Sequence, residues 1–159
     1  MRRVLLVAAI VAILAAVSMG TSTAQQTSWV AYMSAADTVP RATSQATGTA
    51  IFQMTPAGIA YWVYLNGITN VMMGHIHIGA PGAAGPVAVW LYPAAPPPVA
   101  IPGSYSGLVA SGTITAANFV GPLANQPMSA LVNAITAGNA YANFHTPAYP
   151  AGEIRGVIR

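Results

Sequence analysis

The chain has 159 residues, of which only 4% are charged and 55% are hydrophobic, and this excludes intrinsic disorder, which requires the opposite balance. It contains five arginines but no lysine and no basic cluster, which excludes nucleic acid and anionic lipid as partners. Cysteine is also absent, so packing, sheet hydrogen bonds or a metal must hold the fold together without disulfides.

The first 24 residues have the pattern of a removable signal peptide. Two arginines precede an apolar run of 14 residues, Val4 to Val17, shorter than the roughly 20 residues that span a bilayer. Small residues follow, and we predict cleavage after Ala24, with Gly20 as the second choice. An uncleaved membrane anchor is the alternative interpretation. A single domain over residues 25–159 would then be extracellular, periplasmic or held at the cell surface, with no membrane span after cleavage.

The rest of the chain alternates short segments rich in β-branched and aromatic residues with turns, which is typical of an all-β sandwich. We predict an antiparallel Greek-key or immunoglobulin-like β-sandwich with one short helix. Prolines exclude a central strand from Tyr92–Gly103, which we expect to be an extended surface loop. The eight predicted strands are Ser28–Ser34, Thr47–Thr55, Gly58–Asn66, Met72–Ile78, Pro86–Tyr92, Ser106–Ile114, Asn139–His145 and Glu153–Ile158.

One helix is predicted shortly before the seventh strand. Pro127 suits its first turn and Gly138 suits its C-terminal cap. The apolar residues at helical spacing between them are Met128, Leu131, Val132 and Ile135. This helix would lay one apolar face on the sandwich and lead into the strand that ends at His145.

The stretch GHIHIG places His75 and His77 on one face of a strand, because side chains alternate along it. Two imidazoles so placed can ligate one ion at roughly 2.0–2.1 Å from each nitrogen. His145 is the only other histidine and is the candidate third ligand. Three imidazoles without a thiolate suit copper or zinc. The alternative is that the histidines are hydrogen-bonded residues of the fold. The following stretch GAPGAAGP is predicted to form a wide turn beneath the histidines.

Four further side chains are candidates for a role near the histidines. Tyr141 and Asn143 share the strand face of His145, so they or backbone carbonyls can orient the imidazoles. Glu153 and Arg155 lie two residues apart on the last strand and share a face. The favoured interpretation is a structural ion pair between them. The other interpretation places Arg155 near the histidines, where it attracts a small anion.

The stretches GHIHIGAPGAAGPVAVWL and ITAGNAYANFHTPAYPAGEIRGVI resemble the CHRD domain, a module first described in chordin and present in many secreted bacterial proteins. The earlier stretch YMSAADTVPRATSQATGTAIF resembles the opening of that family, with Asp37 before Val-Pro and a later Thr-Gly pair. The resemblance covers about Ala31 to Ile158. It implies an extracellular antiparallel β-sandwich and leaves the biochemical role and any protein partner open.

A fainter resemblance is to copper-binding superoxide dismutases. Their His-Val-His strand motif resembles residues 75–77, a later strand histidine resembles His145, and an arginine before Gly-Val-Ile resembles Arg155. The chain lacks that family's bridging histidine, zinc ligands and disulfide cysteines. The resemblance therefore implies a mononuclear three-histidine copper site, with superoxide, redox or metal-storage chemistry. A non-catalytic extracellular adhesion or protein-binding module is the alternative, so the sequence leaves enzymatic activity open.

Overall fold

The computed structural model describes residues 27–159. The predicted leader over residues 1–24 and its cleavage point lie outside the described residues. Within residues 27–159, no helix is long and apolar enough to cross a membrane. The strands are β1 (Ser28–Ser34), β2 (Thr47–Thr55), β3 (Gly58–Thr69), β4 (Met73–Ile78), β5 (Val87–Tyr92), β6 (Ser104–Ile114), β7 (Ala140–Thr146) and β8 (Tyr149–Val157). The helix α1 spans Met128–Thr136, and 3-10 turns occupy Ala35–Asp37, Ala116–Asn118 and Gly121–Leu123.

The eight strands form one antiparallel sheet in the order β5-β4-β7-β8-β1-β2-β3-β6. The chain crosses over between β3 and β4 and again between β6 and β7, so β4 pairs with β7 and β3 pairs with β6. The edge strands β5 and β6 approach each other, and the sheet nearly closes around its core. The predicted antiparallel all-β fold with one short helix is confirmed.

Strand formation follows the alternation of apolar side chains. On β3, Ile59, Tyr61, Val63 and Leu65 are buried, whereas the residues between them are half-buried or exposed. This period of two gives the sheet one apolar face, and curvature of the sheet brings such faces together into one core. Burial of that apolar surface is the main favourable contribution to folding. The described chain has no disulfide to add to it.

The helix α1 closes one side of the core. Leu131, Val132 and Ile135 are buried at helical spacing, as predicted. Pro127 stands immediately before the first turn in extended conformation rather than within it. Gly138 follows the helix with φ +71°, a left-handed conformation in which glycine carries no steric penalty. The chain then enters β7, which carries the third histidine.

The last strand begins four residues earlier than predicted. β8 starts at Tyr149, which pairs with Thr146 across a tight connection, although the sequence suggested a turn until Glu153. Pro150 and Gly152 are typical of turns, but here they occupy an irregular stretch of strand beside a register shift in β7. The irregularity matters because it points the Pro150 carbonyl toward a histidine, as described next.

Candidate metal centre

The three histidines lie on adjacent strands and on one face. His75 and His77 are on β4, and His145 is on β7, which pairs with β4 in continuous register from Met73 opposite His145 to Ile78 opposite Ala140. Ile76, between His75 and His77, and Phe144, immediately before His145, are fully buried in the hydrophobic core. Because side chains alternate along a strand, the histidines occupy the opposite, outer face of the sheet.

The spacing of the imidazole nitrogens suits a shared ion. The Nδ1 atom of His75 lies 3.3 Å from Nε2 of His145. Two nitrogens bound tetrahedrally to one ion are about 3.3 Å apart, given metal–nitrogen distances of roughly 2.0–2.1 Å. One ligand atom from each of the three histidines lies within 4.8 Å of the others. Small ring movements would therefore bring all three nitrogens into one coordination sphere.

Backbone carbonyls orient two of the imidazoles. The Nδ1 atom of His77 donates to the carbonyl oxygen of Gly85 at 2.9 Å, and Nδ1 of His145 donates to that of Pro150 at 2.9 Å. A carbonyl oxygen can only accept, so each neutral ring carries its proton on Nδ1 and a lone pair on Nε2. The Nε2 atom of His77 is buried and has no hydrogen-bond partner. The Nε2 lone pair of His77 is thus left available to an ion, whereas that of His145 faces Nδ1 of His75 at 3.3 Å and Nδ2 of Asn143 at 3.4 Å.

All three imidazoles are neutral near pH 7. Burial, followed by repulsion from His145 and His77, lowers the pKa of His75 from its ordinary value of 6.5 to about 3. Burial lowers the pKa of His77 to about 4, although its hydrogen bond to Gly85 opposes the shift. Burial is also the main cause that lowers the pKa of His145. Metal binding therefore needs no proton release from the rings at neutral pH.

Two connections cover the histidine face. The first is the loop between β4 and β5, in which a Cβ atom on Gly85 would overlap the carbonyl of Ile78, so only glycine fits there. The Gly85 N–H donates to the Tyr141 hydroxyl at 2.8 Å. The second is the β7–β8 connection, which supplies the Pro150 carbonyl. Under these two connections, the exposed fractions of residues His75, His77 and His145 are only 2%, 7% and 5%.

Tyr141 and Asn143 lie beside the histidines but play different parts. The Tyr141 ring stacks on His77 with centroids 5.0 Å apart and planes 9° from parallel, and no hydrogen bond joins its hydroxyl to a described imidazole. Asn143 Nδ2 lies 3.4 Å from His145 Nε2 and donates to the Ala151 carbonyl at 3.1 Å. The polar contacts that fix the imidazole planes therefore come mainly from carbonyl oxygens.

The prediction of an ion pair between Glu153 and Arg155 is wrong. Hydroxyl groups satisfy the Glu153 carboxylate, since Ser44 donates to Oε1 at 2.6 Å and Thr146 donates to Oε2 at 2.7 Å. Arg155 instead donates from Nη1 to the Ala83 carbonyl at 2.8 Å. Its guanidinium carbon lies 3.4 Å from the centroid of the Tyr141 ring. Arg155 is thus a buried cation that pairs with a carbonyl and an aromatic ring rather than with a carboxylate.

Sequence analysis missed two residues of the histidine face. Trp90 on β5 lies opposite His75, with ring centroids 4.3 Å apart in an edge-on arrangement. Met73 begins β4 and lies opposite His145. The sequence could have identified Met73, because a residue two positions before His75 on the same strand lies on the same face. Nothing local in the sequence predicts the position of Trp90, which depends on the pairing of β4 with β5.

The fold and the site together define an all-β protein with a candidate metal centre on the outer face of its sheet. The family model of the CHRD domain matches residues 29–158, and the chain belongs to the CHRD domain family. No curated protein and no solved structure matches the chain. The comparisons therefore give no support to the fainter resemblance to superoxide dismutases.

Proposed function

We propose that this chain is an exported CHRD-domain protein that binds one copper or zinc ion through His75, His77 and His145. The observation that carries the proposal is the pair of carbonyl hydrogen bonds that hold Nε2 of His77 and of His145 as lone-pair donors. Metal-ligating histidines characteristically donate their other ring nitrogen in this way. Two oriented lone pairs next to a third imidazole form a ligand set that fits copper or zinc.

The burial of the centre indicates what such an ion would do. Three protein ligands leave a coordination position for a further group, and bound copper would supply redox chemistry, including chemistry on superoxide. The covering loop and the low exposure of the rings restrict the approach of a substrate. We therefore favour storage of the ion as the role of this protein over rapid redox catalysis. Redox activity is the second role to be measured. Export is proposed from the leader pattern of residues 1–24.

Metal stoichiometry tests the proposal directly. Purified protein titrated anaerobically and aerobically with copper and zinc should take up one ion per chain, whereas the His75→Ala/His77→Ala variant should take up none. Because the chain has only three histidines, all of them in this cluster, non-specific imidazole binding elsewhere cannot mimic the result. A folded wild-type protein that binds less than half an ion per chain at metal excess would overturn the proposal.

An exposed apolar surface supports a second candidate function, a non-catalytic adhesion or protein-binding module. Tyr32, Thr49, Tyr64 and Leu108 are successive cross-strand neighbours on β1, β2, β3 and β6. Tyr32 is 76% exposed, and Tyr64 and Leu108 are also exposed. Large exposed apolar patches on a sheet mark interaction surfaces. If this is the function, added copper should shift the melting temperature of wild type and of His75→Ala equally.

A further inference from the structure

Met73 extends the ligand face of β4 beyond the histidines. It lies two residues before His75 and opposite His145 in the β4–β7 register. Directly opposite residues on antiparallel strands have Cβ atoms about 4.5–5.5 Å apart, and the methionine thioether lies farther out on a flexible chain. Met73 is half-buried and is not part of the hydrophobic core of the described chain. Its sulfur is thus placed on the same side of the sheet as the imidazole nitrogens.

The charges around the centre favour an ion of low charge. Imidazole binds a metal ion as an uncharged ligand, and the groups that orient His77 and His145 are uncharged carbonyls. Arg155 adds a buried positive charge against the ring that stacks on His77. The Glu153 carboxylate is held by two hydroxyl groups. Near the buried guanidinium of Arg155, a divalent ion is penalised more than a monovalent ion.

We propose that Met73 supplies a thioether ligand to the three-histidine centre and makes that centre select monovalent copper over zinc. The inference rests on the proposed function and names its metal. Thioether sulfur is a soft ligand that binds copper(I), whereas zinc in proteins is bound by thiolate, imidazole and carboxylate groups. The sulfur and the charge of the surroundings act in the same direction, since zinc is available only as a divalent ion.

Competition experiments on matched variants test the proposal. Copper(I), generated with ascorbate without oxygen, is competed against bathocuproine disulfonate, and zinc is competed against a fluorescent chelator. Wild type, Met73→Leu and Met72→Leu are compared. Leucine conserves side-chain volume, and Met72, the half-buried methionine immediately before β4, is the matched control. Melting temperatures confirm that each variant folds.

Met73→Leu should weaken copper(I) binding by about tenfold or more and leave zinc affinity within about twofold, whereas Met72→Leu should change neither. X-ray absorption of the copper(I) protein should show a sulfur neighbour that Met73→Leu lacks. Equal copper(I) affinities in wild type and Met73→Leu, or zinc binding tighter than copper(I) in wild type, would overturn the inference while leaving the three-histidine site intact. Failure to bind either metal would instead refute the proposed function.

Discussion

The guanidinium carbon of Arg155 lies 3.4 Å from the centroid of the Tyr141 ring, and His77 stacks on the same ring with centroids 5.0 Å apart. A cation over an aromatic face is stabilised by the ring quadrupole, which compensates part of the cost of burying the charge. The arrangement also fixes a positive charge near the candidate metal centre. The first prediction follows from that charge.

Arg155→Gln should raise the affinity for zinc more than the affinity for copper(I). For charges about 10 Å apart at an effective dielectric of about 20, the repulsion is about 1.7 kcal/mol per unit of ionic charge. Zinc should therefore gain about tenfold over copper(I) when the guanidinium is removed. Competition titrations measure both affinities, and Arg41→Gln, on an exposed residue, is the control. An unchanged ratio of the two affinities would contradict the electrostatic role.

Glu153 and Arg155 should couple as separated charges and not as a contact ion pair. Their side chains have separate partners, so a double-mutant cycle with Glu153→Gln and Arg155→Gln should give a coupling free energy of about 2 kcal/mol or less, as for charges about 8 Å apart. Glu153→Gln alone should cost about 1–3 kcal/mol, because one buried hydroxyl would face an amide donor. Urea unfolding measures these values, and Asp37→Asn, on an exposed acid, should be nearly neutral. A coupling of about 4 kcal/mol, as for charges about 4 Å apart, would revive the ion pair.

The metal-free protein should lose stability as the pH falls below about 6.5. The folded pKa values of His75 and His77, about 3 and about 4, lie below the ordinary value of 6.5. The unfolded chain then binds protons that the folded chain refuses, so the stabilisation is complete above pH 6.5 and disappears toward pH 3. We expect a loss of about 1–3 kcal/mol per pH unit between pH 6 and 4.

Urea midpoints at several pH values, measured in chelator, check this dependence. The His75→Ala/His77→Ala variant should show a much shallower curve, because two of the titrating groups are gone. A wild-type midpoint that stays constant from pH 7 to pH 4 would show that the imidazoles are not desolvated as the structure describes.

Gly85→Ala should damage both the fold and the metal centre. The added methyl group would overlap the Ile78 carbonyl, so the loop must move, at a cost of about 1–3 kcal/mol. That movement shifts the carbonyl that orients His77, and copper affinity should fall by about tenfold or more. Ala84→Ser, on an exposed residue of the same loop, is the control. Unfolding and metal titrations that match wild type would contradict the role of the carbonyl.

The fold was predictable where the pattern of the chain is local. Alternating apolar residues located β1 and β2 at their observed bounds, and helical spacing located α1. The start of β8 at Tyr149 was not predictable, because Pro150 and Gly152 have turn propensity and only pairing with β7 holds them in a strand. The order of strands depends on long-range contacts that no segment of the sequence encodes by itself.

The residues of the candidate site were also predictable only where the pattern is local. Alternation alone places His75 and His77 on one face, and it would also have placed Met73 there. The proximity of His145 requires the pairing of β4 with β7. The carbonyls of Gly85 and Pro150 could not be predicted, because every residue has a carbonyl and only the tertiary fold decides which of them meets an imidazole. The partners of Arg155 were mispredicted because the Glu153 carboxylate accepts from Ser44, on a distant segment, and from Thr146, on the neighbouring strand.

The histidines point away from the core, so the side chains that line the candidate site differ from those that pack the core. On β4 and β7, Ile76 and Phe144 hold the sheet together, while the side chains that would bind the ion contribute little to that packing. Substitution can therefore replace the ligands without rebuilding the protein. Proteins of the same family can thus share this architecture and carry different side chains on the outer face. Membership of the family alone therefore does not predict an ion, and the proposed centre can be judged in each protein from the side chains at the positions of residues 75, 77 and 145.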